Sequence, residues 1–258
     1  STLKNKVTSL GIGKDSYIAG AYATYVGQEI GQFYGWVYEG IARTQADLDN
    51  HATQQGVNVG DCLYKDISGP EGTPDGVIDA YDQTVLGSGL PKVNFGLSAH
   101  MEYKNFDLNI STYGVLNYHV SDDIYNSLNS CYGPGNKDVA MGDANRFADD
   151  GTYISSVPRT YYTNNATLAW NDLFSSRKIQ NAAYWKIANV ELGYNFPDKW
   201  FGGYVSGVRL YVSAQNLYTF TGYKGYNVDY AGGTFTPGYN FCSFPSARTF
   251  MCGLHFTF

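Results

Sequence analysis

Residues Glu71 to Asp82, E-G-T-P-D-G-V-I-D-A-Y-D, set oxygen-bearing side chains at intervals that suit a hard cation. On the template of a twelve-residue calcium loop, Glu71, Thr73, Asp75, Asp79 and Asp82 fall at positions 1, 3, 5, 9 and 12. Gly76 takes the sharp turn, Val77 offers its carbonyl, and Ile78 is free to tie the loop to an apolar neighbour. Asp66 replaces Glu71 at the first position if the residues between them loop out. Carboxylates so spaced favour calcium over zinc. The competing reading is an acidic turn closed by its own Asx hydrogen bonds, and the Asp at position 12, where a calcium loop carries a longer Glu, speaks for it.

A second chemical signal is aromatic. Tyr125, Tyr132, Tyr153, Tyr161, Tyr162 and Trp170 stand among Asn, Asp and Arg in residues 121–176. Flat rings beside amides and carboxylates suit sugar faces or extended peptides, so Tyr161, Tyr162 and Trp170 are candidate substrate contacts. Against this, the same rings could pack the loop or sit in an aromatic girdle. Catalysis finds no support: His51, His100, His119 and His255 lie in separate segments, and Asp122-Asp123 and Asp149-Asp150 are neighbours in sequence, unlike a glycosidase pair. Cys62, Cys131, Cys242 and Cys252 have no C-x-x-C spacing, and one disulfide among the first three leaves the pairing open. A net charge of −6 argues against a nucleic-acid surface.

The elements that must carry these loops are strands. Tyr 24, Phe 14 and Gly 30 against Met 3 favour strands and turns over helices. No apolar run reaches the ~18 residues of a membrane helix, which leaves a membrane barrel open, because barrel strands alternate. In Ser246 to Phe258, Phe250, Cys252, Leu254, Phe256 and Phe258 occupy every second position. The same period of two recurs in Gly207–Phe220, Ala183–Phe196, Phe106–Tyr118 and Pro91–Tyr103, and more weakly in Ala21–Val37 and Thr2–Leu10. It predicts Leu254, Phe256, Val212 and Leu97 on an apolar, lipid-facing side, with His255, Gln215 and His100 on the other.

The connections sort by length. Lys104-Asn105 and Pro197 to Ser206 are short, whereas 43–90, 121–176 and 222–245 are long and rich in Gly, Asn, Asp and Tyr. Short turns on one side and long loops on the other are the asymmetry of an outer-membrane barrel. About seven strands leave two edges, and an open edge in lipid strands backbone groups without partners. The expected fold is therefore all-β: the C-terminal strands, about seven, of a large antiparallel transmembrane β-barrel with long extracellular loops. The opening S-T-L-K-N-K has no apolar core after its lysines and is not a signal peptide, so a processed chain or a fragment is expected.

Four segments in order resemble the SusC/RagA group of TonB-dependent outer-membrane transporters of Bacteroidetes. They are Gly27 to Ile41 (G-Q-E-I-G-Q-F-Y-G-W-V-Y-E-G-I), Y-K-D from Tyr64 with D-G-V-I-D-x-x-D to Asp82 and L-G-x-x-x-P to Pro91, Trp185 to Pro197, and Arg209 to Tyr226 followed by the terminal Phe258. Departures are Asn227-Val228-Asp229 in place of the usual D-P-E, and extra residues between Asp66 and Asp75. The family's N-terminal plug and TonB box are missing from this stretch. The resemblance implies a C-terminal part of a nutrient importer, no cofactor for transport, and an oligosaccharide or peptide substrate. Its implied partners are the remaining N-terminal barrel with plug, a SusD-like surface lipoprotein, TonB and outer-membrane lipid, without nucleic acid. Arg209, Gln215 and Glu191 would then face the lumen and plug. Two other readings compete: a soluble extracellular carbohydrate-binding β-sandwich, and a small self-contained barrel. The barrel-segment reading expects residue 1 at the extracellular end, Phe258 at the periplasmic rim, and no pairing between the first and last strands.

Overall fold

The computed structural model describes residues 1–258 except 12, 133–135, 161–169, 201–204, 230–231 and 258. Its strands in chain order are β1 Ser16–Ala19, β2 Tyr22–Tyr25, β3 Gln32–Gly35, β4 Tyr38–Ile41, β5 Cys62–Tyr64, β6 Thr84–Ser88, β7 Val93–Tyr103, β8 Phe106–Leu116, β9 His119–Asp122, β10 Gln180–Asn181, β11 Tyr184–Phe196, β12 Gly207–Thr221, β13 Tyr239–Asn240 and β14 Thr249–Thr257. Short helices α1, Gln45–Asp49, and α2, Asp123–Leu128, sit in the long connections. No described helix is long and apolar enough to cross a membrane.

The long strands make one antiparallel sheet of five, in the order β14-β12-β11-β8-β7. Alternation sorts its two faces as expected. Val212 stands opposite Leu192 and Cys252, Leu192 opposite Leu108, and Leu108 opposite Met101, forming an apolar row across the sheet. Leu254 opposes Leu210 and Phe256 opposes Val208 on that face, while His255 opposes Arg209 on the other. The polar face is tied together by side chains. Arg209 donates to Asp107 Oδ2 at 2.5 Å and to Glu191 Oε1 at 2.7 Å, and His100 meets Asn109 at 2.6 Å.

Aromatic rings gather at both ends of the apolar face. Phe106, Tyr194 and Phe196 pack with centroids 4.8 and 5.0 Å apart at the short-turn end. Trp185 stacks on Phe220 at 5.3 Å, and Tyr218 touches Phe220 at 4.7 Å, at the long-loop end. About ten residues of β12 separate the two levels; at ~3.3 Å per residue and a ~45° tilt that is roughly 23 Å, the height of the ~25 Å apolar band of a membrane barrel. Two girdles at this spacing are what an amphipathic ring needs, with its body in hydrocarbon and its edge near headgroups.

The strand β11 carries a bulge between Ile187 and Asn189 against both neighbours. Against β8 Ala188 is the extra residue, and it changes the phase of everything before it; against β12 the extra residue lies on β12, where Asn216 and Leu217 fall between the paired Gln215 and Tyr218. Lys186 consequently shares the polar face with Tyr113, and Trp185 shares the apolar face with Gly114. Lys186, only 3% exposed, pairs with Asp229 at 2.6 Å.

The two weaker strand candidates are corrected. Ala21–Val37 is broken by Gly27 and Gly31 at φ 89° and 63° into β2 and β3, part of a separate small sheet in the order β1-β2-β3-β6. Thr2–Leu10 contributes one bridge, Thr2 to Val93, rather than a strand. Ser1 donates to the Asn94 carbonyl at 2.7 Å, which puts it at the long-loop end of β7. The count in the long sheet is thus five. Among the described residues β14 pairs with β12 and β7 with β8, not with each other, so the sheet is open and the self-contained barrel loses its required closure. Phe258 lies outside the described residues; its neighbour Thr257 ends β14 opposite Gly207, at the short-turn end.

Candidate functional site

The long connections fold into an assembly on the end of the sheet away from the short turns. Its centre is Tyr64, fully buried on β5 with Cys62, and packed against Ile78, Trp36, Tyr38 and Trp170. Trp36 and Trp170 reach Tyr64 from either side of it in sequence, with ring centroids 6.5 and 6.1 Å away. The Tyr64 hydroxyl donates to the Trp170 carbonyl, and the Trp170 indole N–H to the Gln55 carbonyl at 2.8 Å. Burial pushes the Cys62 thiol up to about 12 and raises the Tyr64 phenol as well. Both groups stay neutral here, and neither is set up as a nucleophile.

Around this centre runs a polar frame that joins distant segments. Asp61, 2% exposed, accepts from Arg159 Nη2 at 2.8 Å and Nε at 3.1 Å, and from Asn171 Nδ2 at 2.8 Å. Asn171 returns its Oδ1 to the Cys62 amide at 2.6 Å. Fork geometry of this kind is among the strongest side-chain pairings. Nearer the sheet, Asp122 accepts from the Tyr223 hydroxyl and from Asn240 Nδ2 at 3.0 Å, pinning the connection 222–245 beside β9. Val115, Tyr118, Val120, Ala182, Tyr184, Tyr223 and Val228 pack the apolar side of that junction.

The acidic loop is built from interlocked caps. Asp66 Oδ2 accepts from Gly76 N at 2.7 Å, Asp75 Oδ1 from Val77 N at 3.0 Å, and Asp79 Oδ1 from Tyr81 N at 2.7 Å. Asp82 is fully buried and accepts from Ile67 N at 2.7 Å, Ser68 N at 3.1 Å and Asp79 N at 2.8 Å. Val77 bridges Thr53, and the Ile78 amide donates to the Thr53 carbonyl at 2.9 Å, so the loop is stitched to the segment after α1. Glu71 stays exposed at its tip. Asp66 Oδ1 is an enclosed oxygen without a protein partner. Among the described residues no three His, Cys, Asp or Glu side chains are gathered closely enough to hold a metal ion.

The aromatic candidates separate. Trp170 packs on Tyr64 and braces the frame. Tyr161 and Tyr162 lie outside the described residues. Tyr153, 1% exposed, is a packing residue whose ring stands 5.0 Å from Phe147. Arg209 and Glu191, expected on the polar face, meet there as an ion pair at 2.7 Å. Sequence reasoning missed Asp61, Arg159, Asn171 and Asn240, and it took Asp122 for a solvated loop acid although the residue is 2% exposed. Their partners lie up to 118 residues away, and nothing in the local pattern marks them.

No family model matches the chain. The TonB-dependent receptor P3 of Formosa agariphila is 29% identical over 273 residues, covering 99% of this chain and 26% of its own length. The TonB-dependent receptor SusC of Bacteroides thetaiotaomicron is 28% identical over 193 residues, covering 71% of this chain and 17% of itself. Among solved structures, the RagAB peptide transporter superposes with a TM-score of 0.74 at 19% identity, over 98% of this chain and 25% of that one. The RagAB peptide importer in its open-open state gives 0.71 at 20% identity over the same 98%. The chain thus spans about a quarter of the length of the curated relatives that it matches best along its own length. The open five-stranded sheet is a section of the wall of such a large antiparallel barrel, with its long loops outside. In sequence and in fold, the chain matches the SusC/RagA group of TonB-dependent receptors over nearly all of its length.

Proposed function

We propose that the chain forms the C-terminal section of an outer-membrane transporter that imports oligosaccharides or peptides, and that it acts without catalysing a reaction. The observation that carries this reading is the sorted wall: one apolar face with aromatic bands at bilayer spacing, one polar face knitted by Arg209, Asp107 and Glu191, and every long connection at the same end. An apolar band flanked by girdles solves burial in lipid, and a polar inner face suits a plug or a solvated path. The soluble-sandwich reading has no use for either band.

The partners follow from the same reading. The edge of β7 beyond its bridge to Thr2, and that of β14, call for further strands, because unpaired backbone in hydrocarbon costs several kcal/mol per group. A plug and TonB supply gating and energy, and a surface lipoprotein of the SusD kind covers the long loops. Peptide and glycan are both in play, since the RagAB neighbours are described as peptide importers and SusC is a second relative.

The test is a deletion strain. Cells lacking the encoding gene are expected to lose energy-dependent uptake of one substrate class, either labelled peptides or labelled oligosaccharides. The protein should fractionate with outer membranes and need detergent for release. Full solubility without detergent would replace this reading with the sandwich.

A further inference from the structure

Where β12 leaves the sheet, a cleft of ~330 Å³ opens between Tyr125, Arg177, Gln180, Asn181, Ala183, Gly222 and Lys224. Ala183 directly precedes β11 and Gly222 directly follows β12, so the cleft lies at the long-loop end. Its lining is rich in donors and short of acceptors. Among the described residues neither Arg177 nor Lys224 is in an ion pair. Arg177 is half-buried, donates Nη1 to the Asn171 carbonyl at 3.3 Å and hydrogen-bonds the Cys131 side chain, which leaves part of a five-donor fork. Lys224 holds its ammonium over the Tyr125 ring at 5.7 Å, a contact that orients the charge without neutralising it. The third group is an amide. Gln180 Oε1 accepts from Lys224 N at 3.0 Å, which fixes which end of the amide is which, and leaves Nε2 enclosed with no partner. An enclosed donor and a half-buried guanidinium without a counter-charge both carry a desolvation cost that an anion would remove.

We propose that this cleft binds a carboxylate of the imported substrate, held by Lys224, Arg177 and Gln180 Nε2. A carboxylate is acceptor-only when ionised and matches a lining of donors. Two substrate types carry it, an acidic sugar and a peptide C-terminus, and the chemistry at the cleft is the same for both. The assignment to substrate rests on the import reading, but the binding itself does not.

The experiment uses the full outer-membrane protein in detergent, titrated by calorimetry with trigalacturonate, its neutral methyl ester, trialanine and trialanine amide. At least one of the two acids is expected to bind, and which of them binds names the source. Its uncharged derivative should bind about tenfold more weakly or worse, and affinity should fall as salt rises. Lys224→Gln, on an exposed side chain, should weaken the acid about tenfold and leave the thermal midpoint unchanged. Equal binding of acid and derivative, no binding of either acid, or full affinity in Lys224→Gln would overturn the site. Displacement by lipid A micelles but by neither acid would make it a lipid phosphate site and overturn the substrate assignment. Acid binding by the purified protein together with intact uptake in the deletion strain would keep the cleft and remove the import reading.

Discussion

The barrel-wall sheet and the loop assembly above it are held by different physics. In the wall, each strand meets its neighbours through a regular ladder, and side-chain direction follows from position alone. In the assembly, pairings such as Asp61–Arg159 and Asp122–Asn240 join residues about a hundred apart through single buried polar contacts. A wall error is therefore graded by depth in the membrane, whereas one lost partner in the frame strands several groups at once. The two regions should answer substitution differently.

The largest effect is expected at Asp61. Asp61→Ala strips the Arg159 fork of its carboxylate and leaves Asn171 Nδ2 only the Arg159 carbonyl, and removing one member of a buried pair costs ~3–5 kcal/mol; the partial exposure of Arg159 points to the lower end. Limited proteolysis should cut the loops while heat-modifiable migration of the barrel persists. Simultaneous loss of both would mean that wall and loops unfold as one unit.

Next comes the wall. Val212→Arg on the apolar face should cost ~2–4 kcal/mol in an assembly assay, and Gln215→Arg on the opposite face close to nothing. Equal yields of the two variants would dissolve the face assignment.

A smaller effect concerns thiols and alkali. Burial places the Cys62 thiol at about 12 and that of Cys131 at about 11, both above the ordinary 9.0. A raised folded value favours the protonated thiol. The stabilisation is complete below pH 9 and is lost as pH rises towards 11 and then 12. Maleimide at neutral pH should label exposed Cys242 quickly and spare Cys62 and Cys131 until the loops open. Rapid labelling of Cys62 in folded protein would contradict the packed centre.

The smallest expected change is with calcium. Asp66, Asp75, Asp79 and Asp82 already hold backbone amides, so a chelator should shift the thermal midpoint of the loops by no more than about 1 °C, well under the effect of 1 kcal/mol. A larger loss would show an ion at the enclosed Asp66 Oδ1.

Much of the wall was legible before the structure. The segments ending at Tyr103, Phe196 and Thr257 follow from a period of two, and the loop asymmetry follows from counting residues between them. Ala21–Val37 misled because its alternation spans Gly27 and Gly31, whose left-handed backbone turns a would-be strand back on itself. In the acidic segment, spacing alone could not separate ion ligands from caps, because Asp at those intervals serves both. The polar frame was invisible for a simpler reason: an isolated Asp61 or Asn171 looks like any loop residue until the fold brings its partner across.

Ala188 gives the chain a parity rule. Because a strand reverses side-chain direction at each residue, a β11 that ran regularly through Ala188 would turn Lys186 out into hydrocarbon and Trp185 in towards Asp229, exchanging a girdle anchor for a stranded charge; the bulge prevents this, and deleting Ala188 would leave both side chains on their present faces. A residue inserted or removed elsewhere in β11, with no bulge to absorb it, would instead reverse the whole stretch before it. A single-residue change of length within β11 therefore needs a bulge to absorb it, whereas the long outer connections can change length without disturbing the wall.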